Sequence, residues 1–438
     1  MRIRVFLSLL TGIFVFFSCA GSPNAYAPID AGIQSGSYET ALSSMDDERG
    51  WARRTIYTNK NKILFYLDRG MIKHYAGLYQ ESSRDLEMAE LLMEEAFTKS
   101  LSQEIGSYLL NDNIKDYPGE DYEDLYASVF KALNYCYSGN IESALVEIRR
   151  IDEKLIYLAD KYEAAKEKVL ESNRQIDPHR LPAEVSKFSH SALARYLGLL
   201  FYRSADKPDD ARIDYEELLK AYELAPNIYR NRIPSSVEHE LSVPEGKGRL
   251  NVIAFTGLSP VKTEETILIP LPFEFPNNTA KLAFPKMTDR GSVVRRAELV
   301  LDNGERFELE LLEDMGAVAR ETFKTRYGLI VLKTTARAIT KAAVSATGAG
   351  VARKKGSDAL GAVIGLMGRI ASGVSEQADT RLSRYFPCYA LVGGINLDPG
   401  YYNATVNFYG YGGIVHSEQK QLAVRRNALN LEQFSFLK

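Results

Sequence analysis

The sequence predicts an α+β chain of more than one domain: a helical-repeat solenoid in front, and behind it a β-sandwich-like domain with a Gly/Ala-rich helical insertion. Three observations carry this. A helix-pair pattern recurs at 67–97, 125–155 and 192–227. From residue 248 the apolar period changes to two. Between two groups of strands, residues at about 313–380 lose that alternation and become rich in Gly and Ala.

The first 18 residues precede both parts. Arg2 and Arg4 open the chain, Val5 to Phe17 is an almost unbroken apolar run, and the small Ser18 is followed at once by Cys19. The run is shorter than the roughly 20 apolar residues that span a bilayer, and it has the length of a signal-peptide core. A small residue and then Cys, in "FVFFSCAGSP", resembles the processing site of bacterial lipoproteins. That resemblance implies cleavage before Cys19 and acylation of both its thiol and the new amino terminus. Several acyl chains anchor stably where one does not. Phe16 stands where most such sites carry Leu. Ordinary secretion with cleavage near Ala25–Ala27, and an uncleaved anchor, are the alternatives. Ala20 follows the Cys instead of Asp, which in the enteric pattern favours the outer membrane. The expected location is therefore the bacterial cell envelope, lipid-anchored at the outer membrane and facing the periplasm. Residues 19–35 are small and polar and read as a tether.

Residues 36–230 read as helical throughout. Gly70, Gly77, Tyr79 and Ala89 mark the first full unit. Ala132, Tyr135, Gly139, Ile141 and Ala144 mark the second, and Gly198, Tyr202, Ala211 and Tyr215 the third. The spacing resembles tetratricopeptide repeats, in which small residues let two helices approach and aromatics fill the holes between pairs. Two insertions interrupt it. "NDNIKDYPGEDYEDLY" (111–126) is acidic and aromatic, and "NRQIDPHRLPAEVSKFSH" (173–190) contains Pro. Each could rim a groove, although a solvated connection is the preferred reading.

Residues 231–247 read as a linker, and 248–438 as the β domain. "RLNVIAFTG", "TEETILIPLPF" and "NTAKLAFP" alternate as strands with Pro at their ends. In "VVRRAELVLDNGERFELELLED", Asn303-Gly304 can take the positive φ of a tight hairpin turn. "CYALVGGINLDPGYYNATVNFYG" is strand, Pro-Gly turn and strand, and two more strands finish the sheet. Short strands with turn signals predict the sandwich. Inside the insertion, Gly361, Gly365, Gly368 and Ser372 form a small helix face. Close packing within the chain is the preferred reading of it, with self-association or membrane contact as alternatives.

Composition narrows the function. Net charge is −3, and removing residues 1–18 takes away two Arg to leave −5. That argues against nucleic acid, which calls for a basic surface. Cys136 and Cys388 are expected as free thiols, with a bridge as the alternative in an exported protein. Five scattered His make neither a metal site nor any other cofactor expected. HExxH and GxSxG do not occur, and "PEGKGRL" lacks the rest of a phosphate loop. The most interesting polar residues are Asp379 and Arg381 of "ADTR", at the return from helix to strand. They read best as a structural pair, with ligand or partner contact as the alternative.

The segments "GLSPVKTEETILIPLP" (257–272), "ADTR" (378–381), "FP" (386–387) and "LDPGYYNATV" (397–406), with the Gly-rich insert, resemble an uncharacterised family of bacterial lipoproteins. The resemblance implies tetratricopeptide-like helices in front of a β domain, and it brings no catalytic residue. The expected function is a non-enzymatic envelope scaffold or adaptor that binds a protein partner at the helical repeats. A membrane-associated oligomer built through the Gly-rich helix is the main rival, and an envelope enzyme with an unrecognised site is the other.

Overall fold

Three helix pairs in the front of the chain each turn at the same kind of corner. The computed structural model describes residues 24–102, 115–158, 160–172, 186–270, 279–351 and 378–438. The pairs are α4 (Lys62–Tyr75) with α5 (Tyr79–Ser102), α6 (Asp121–Tyr137) with α7 (Ile141–Leu158), and α9 (Ala192–Ser204) with α10 (Pro208–Leu224). Gly77 and Gly139 sit at φ 75° and 77° in the first two corners, and Asp206 takes φ 55° in the third. Each corner is closed by a bond from the next amide back over the helix end: Leu78 to Lys73 O, Asn140 to Tyr135 O, and Lys207 to Tyr202 O. That is the left-handed C-terminal stop, which Gly adopts freely and Asp tolerates. Close approach within the pairs needs small residues as well. A Cβ at Gly70 would lie 2.8 Å from the Leu86 side chain, and one at Gly198 would collide with Asp214.

Helix α6 lies at the centre and is buried on nearly every side. It starts with a reciprocal cap, Glu120 accepting from the Glu123 amide while the Glu123 side chain accepts from the Glu120 amide. Around it stand the pairs and the short helices α1 (Ala27–Ser35), α2 (Tyr38–Asp46), α3 (Trp51–Thr55) and α8 (Glu163–Ser172). Helix α1 corrects the reading of 19–35 as a tether. Ile29 and Ile33 are buried on one of its faces, so the folded body begins no later than this helix. The 231–247 segment is also packed. It contains a 3₁₀ turn at Ser235–His239, and Val237 and Glu240 are fully buried.

Strands begin at Gly248. They are β1 (Gly248–Thr256), β2 (Val261–Pro270), β3 (Thr279–Thr288), β4 (Arg296–Leu301), β5 (Arg306–Asp314), β6 (Tyr389–Leu397), β7 (Gly400–Gly410), β8 (Gly413–Val424) and β9 (Asn430–Phe436). Helix α11 (Met315–Val351) leaves between β5 and β6. Seven strands form one sheet in the order β8-β7-β4-β5-β6-β1-β9, antiparallel except where β9 runs parallel to β1. The expected sandwich gives way to this single sheet, which curls almost into a barrel. The reason lies in its edges: the His416 ring of β8 stacks on Phe436 of β9 at 4.7 Å, and Lys420 pairs with Glu432. Strands β2 and β3 form a separate hairpin, from which Phe284 meets Tyr327 of α11. At the β4–β5 turn Gly304 alone takes positive φ, so Asn303 is not the strained residue.

Alternation along β1 divides two cores. Leu250, Val252 and Ala254 point into the curled sheet with Leu299, Val406, Phe408 and Phe434. Ile253 and Phe255 point outward and join the core of the helices. There Phe130 of α6 meets Phe255 at 5.1 Å and Phe386 at 6.0 Å. The helical and β parts therefore share one hydrophobic cluster, and the overall class is α+β.

Candidate functional site

Among the described residues a cleft of about 680 Å³ opens between the end of α5, the 115–121 stretch, the residues before α8 and the middle of α11. The chain enters its floor at Tyr117, whose amide bonds Lys60 O at 2.8 Å and whose hydroxyl donates to Glu123 at 2.8 Å. Gly119, at φ 77°, leaves no room for a Cβ beside Met93. Two acids of the α6 start then face two sets of cations. Glu120 accepts from Lys262 of β2 and from Arg326 of α11, the latter at 2.7 Å. Asp121 accepts from Lys161 at 2.6 Å and from the Tyr162 hydroxyl at 3.0 Å. Burial works against the charge on Lys161 and Arg326, but Asp121 and Glu120 outweigh it and raise both pKa values.

Asp379 and Arg381 form another wall. Arg381 grips both Asp379 oxygens at 2.8 Å, and its remaining nitrogen reaches Asn61 Oδ1 and Lys115 O. Burial disfavours the Asp379 carboxylate, but the Arg381 bonds prevail and hold its pKa below the usual range. The guanidinium also lies 5.4 Å from the Tyr117 ring centre. The two residues thus pair with each other, and Asp379 reaches the cleft. Gly361, Gly365, Gly368 and Ser372 lie outside the described residues, as does Cys19.

The cleft lining contains seven Lys or Arg against five Asp or Glu. The acids on its floor are paired, and on its rim Lys60 and Lys62 are exposed. Among the described residues neither of these two lysines makes an ion pair. The result is an open, net-positive depression over a rigid, ion-paired base. A field of that sign attracts acidic groups.

The strongly shifted carboxylates lie elsewhere. Glu123, behind Tyr117, accepts from the Ser383 amide at 2.6 Å, and burial raises its pKa to about 7. Asp68 accepts from Ser383 Oγ, the Arg384 amide and Tyr57, and burial raises it to about 6. Glu313 is aimed into the helices by a bulge in β5. It accepts from Tyr126, Tyr229, Ser191 and the Leu193 amide, and burial raises it too. His74 lies between Asn134 and Gln433, and burial lowers it to about 4. Perturbed groups can mark active sites. Each of these four is enclosed by hydrogen bonds that fasten a strand or the 383–386 return segment to a helix, while Asp214 of α10, raised by burial to about 6, is held by Arg195 of α9.

No protein-family model, curated protein or solved structure matches this chain. Among the described residues no group of His, Cys, Asp or Glu is arranged to hold a metal ion. No described helix is long and apolar enough to cross a membrane. Cys136 and Cys388 are free thiols, and burial pushes both up to about 12.

Sequence reasoning missed Glu120, Asp121, Lys161, Lys262 and Arg326. They come from four distant segments, and periodicity carries no sign of their pairing. One local signal existed: Glu120 and Glu123 at capping-box spacing in the acidic insertion. The preferred reading of that insertion as a solvated connection is corrected for residues 117–123. Tyr117, Glu120 and Glu123 are buried, because the segment fills the gap between α5, α6 and α11.

Proposed function

We propose that this protein is a lipid-anchored, non-enzymatic scaffold of the bacterial cell envelope that holds an acidic segment of a protein partner in the basic cleft. The observation that carries the reading is the cleft itself: on its rim Lys60 and Lys62 are exposed and, among the described residues, make no ion pair, over a floor whose acids are neutralised by buried cations. Acidic peptide binding needs no more than such a field and a rigid base. An enzyme would need carboxylates or His of perturbed pKa free at the opening, whereas Asp68, Glu123 and Glu313 are fully enclosed and the cleft's Glu120, Asp121 and Asp379 are held in ion pairs. The membrane attachment rests on Cys19 and the signal layout before it. We read the helix pairs as degenerate tetratricopeptide-like units. What supports this is the left-handed corner common to all three and the close approach at Gly70 and Gly198.

The test is a photo-crosslinking residue placed at Lys60 in intact cells. Discrete protein adducts are expected there, and they should fade in the Lys62→Glu background. The same residue at Arg212, on exposed α10, should give none. Equal adducts at Arg212, or adducts at Lys60 that ignore Lys62→Glu, would sink the cleft as the partner site.

A further inference from the structure

The β7–β8 hairpin ends in exposed apolar side chains. Tyr411 is 90% exposed, Ile414 57%, Val415 42%, and the adjoining Val293 49%. They form one patch. A Cβ at Gly410 would touch the Val415 side chain and Val293 O, and the Arg295 guanidinium lies 4.6 Å from the Tyr411 ring centre. Lys438 closes the other side, its carbonyl accepting from the Val293 amide at 3.0 Å and from Ser292 Oγ at 2.9 Å. Among the described residues Arg295 and Lys438 make no ion pair.

A short run of contacts joins this patch to the start of the folded body. Arg290, three residues before Val293, donates to Ser259 O at 2.7 Å and to Arg384 O. Arg384 in turn bonds Asp30 at 2.9 Å and covers the Tyr26 ring at 4.3 Å. The described chain starts two residues earlier, at Asn24. Five peptide units separate Cys19 from Asn24, a reach of at most about 18 Å even when fully extended. A lipid on Cys19 would therefore hold this end of the body within one headgroup layer or so of the bilayer.

We infer that the Tyr411–Ile414–Val415–Val293 patch is a membrane-docking surface, seated in the lipid interface beside the anchor. The inference rests on the proposed acylation of Cys19. The chemistry suits a lipid surface. Tyr places an apolar ring and a polar tip at the depth where membranes collect aromatic residues. Arg295 and Lys438 meet anionic headgroups around an apolar centre. Two attachments, an anchor and a patch, would fix the orientation of the body and leave the lysine-rimmed cleft a set distance from the bilayer.

The experiment uses the full lipidated chain on vesicles of phosphatidylethanolamine and phosphatidylglycerol. The native Trp51 is replaced by Phe, and a single probe is introduced as Tyr411→Trp or, separately, as Ile156→Trp on α7. Flotation with vesicles, compared with Cys19→Ser, reads the anchor. Quenching by lipids brominated along the acyl chain reads the docking. The inference expects flotation that depends on Cys19, with strong quenching of the probe at 411 and little at 156. If the protein floats but the two probes are quenched alike or not at all, docking is overturned and the anchor stands. If it does not float, the anchor reading fails and takes the docking with it. A probe at 411 that is shielded in solution, together with a dimer on gel filtration, would assign the patch to a second copy instead and also overturn the inference.

Discussion

Glu123 shows how much one side chain can decide. Its two oxygens take the Tyr117 hydroxyl, the Glu120 amide and the Ser383 amide, so the start of α6 and the return segment meet on it. Burial holds its folded pKa at about 7, above the ordinary 4.5. The folded state therefore keeps the proton longer than the unfolded chain. The penalty of ionising it is absent below about pH 4.5 and complete above about pH 7. In a comparison of wild type with Glu123→Gln, this part of the pH slope disappears from the variant. The wild-type stability advantage should shrink between pH 5 and pH 7.5, by up to roughly 3 kcal/mol if the whole shift is realised. Urea midpoints at the two pH values check it, and a constant gap would show that Glu123 does not titrate in this range. The comparison cancels His74, whose burial-lowered pKa of about 4 makes stability rise with pH over the same range.

At the scale of elements, the 231–247 segment behaves as a bolt. Glu240 is fully buried and pairs with Arg203 of α9 and, at 2.9 Å, with Arg249 of β1. It also accepts from Asn251 at 2.8 Å. Composition alone made this stretch look like a linker, because Pro, Ser, Glu and Gly are counted the same whether they face water or a guanidinium. Removing the carboxylate would leave two cations with one partner fewer in a buried place. Glu240→Ala is expected to cost about 3–5 kcal/mol, measured by chemical denaturation. In the native protein, limited proteolysis should leave 231–247 intact. Early cleavage there would show that the segment opens independently of the rest.

For the molecule as a whole, the shared core matters most. The outer face of β1 and β6 gives Ile253, Phe255, Ala390 and Val392 to the same cluster as Phe130, Leu133 and Leu197 of the helices. A fragment of 248–438 alone would expose that face to water. Apolar surface of this kind stabilises by about 25 cal/mol per Å² when buried, so its loss removes much of the margin of a small domain. The fragment is expected to lack a cooperative unfolding transition, which calorimetry would reveal. A sharp transition near that of the whole chain would instead establish an autonomous β domain.

Much of the architecture was legible in the sequence. The helix pairs, the glycine corners of the first two, the strand segments from 248 onward and the helix after β5 all follow from local rules. Apolar period, turn residues and caps act over a few positions, so one sequence suffices to read them. Other features depended on which distant residues meet. Glu313 finds Tyr126 across 187 positions, and Glu123 finds the Ser383 amide across 260. The curl of the sheet came from β9 lying parallel to β1 and reaching back to β8, a pairing that no local pattern encodes. The cleft needed five separate segments to close around the start of α6. Local propensity is written residue by residue, whereas the partner of a buried charge is settled by which elements pack beside it, and that is decided by the tertiary structure.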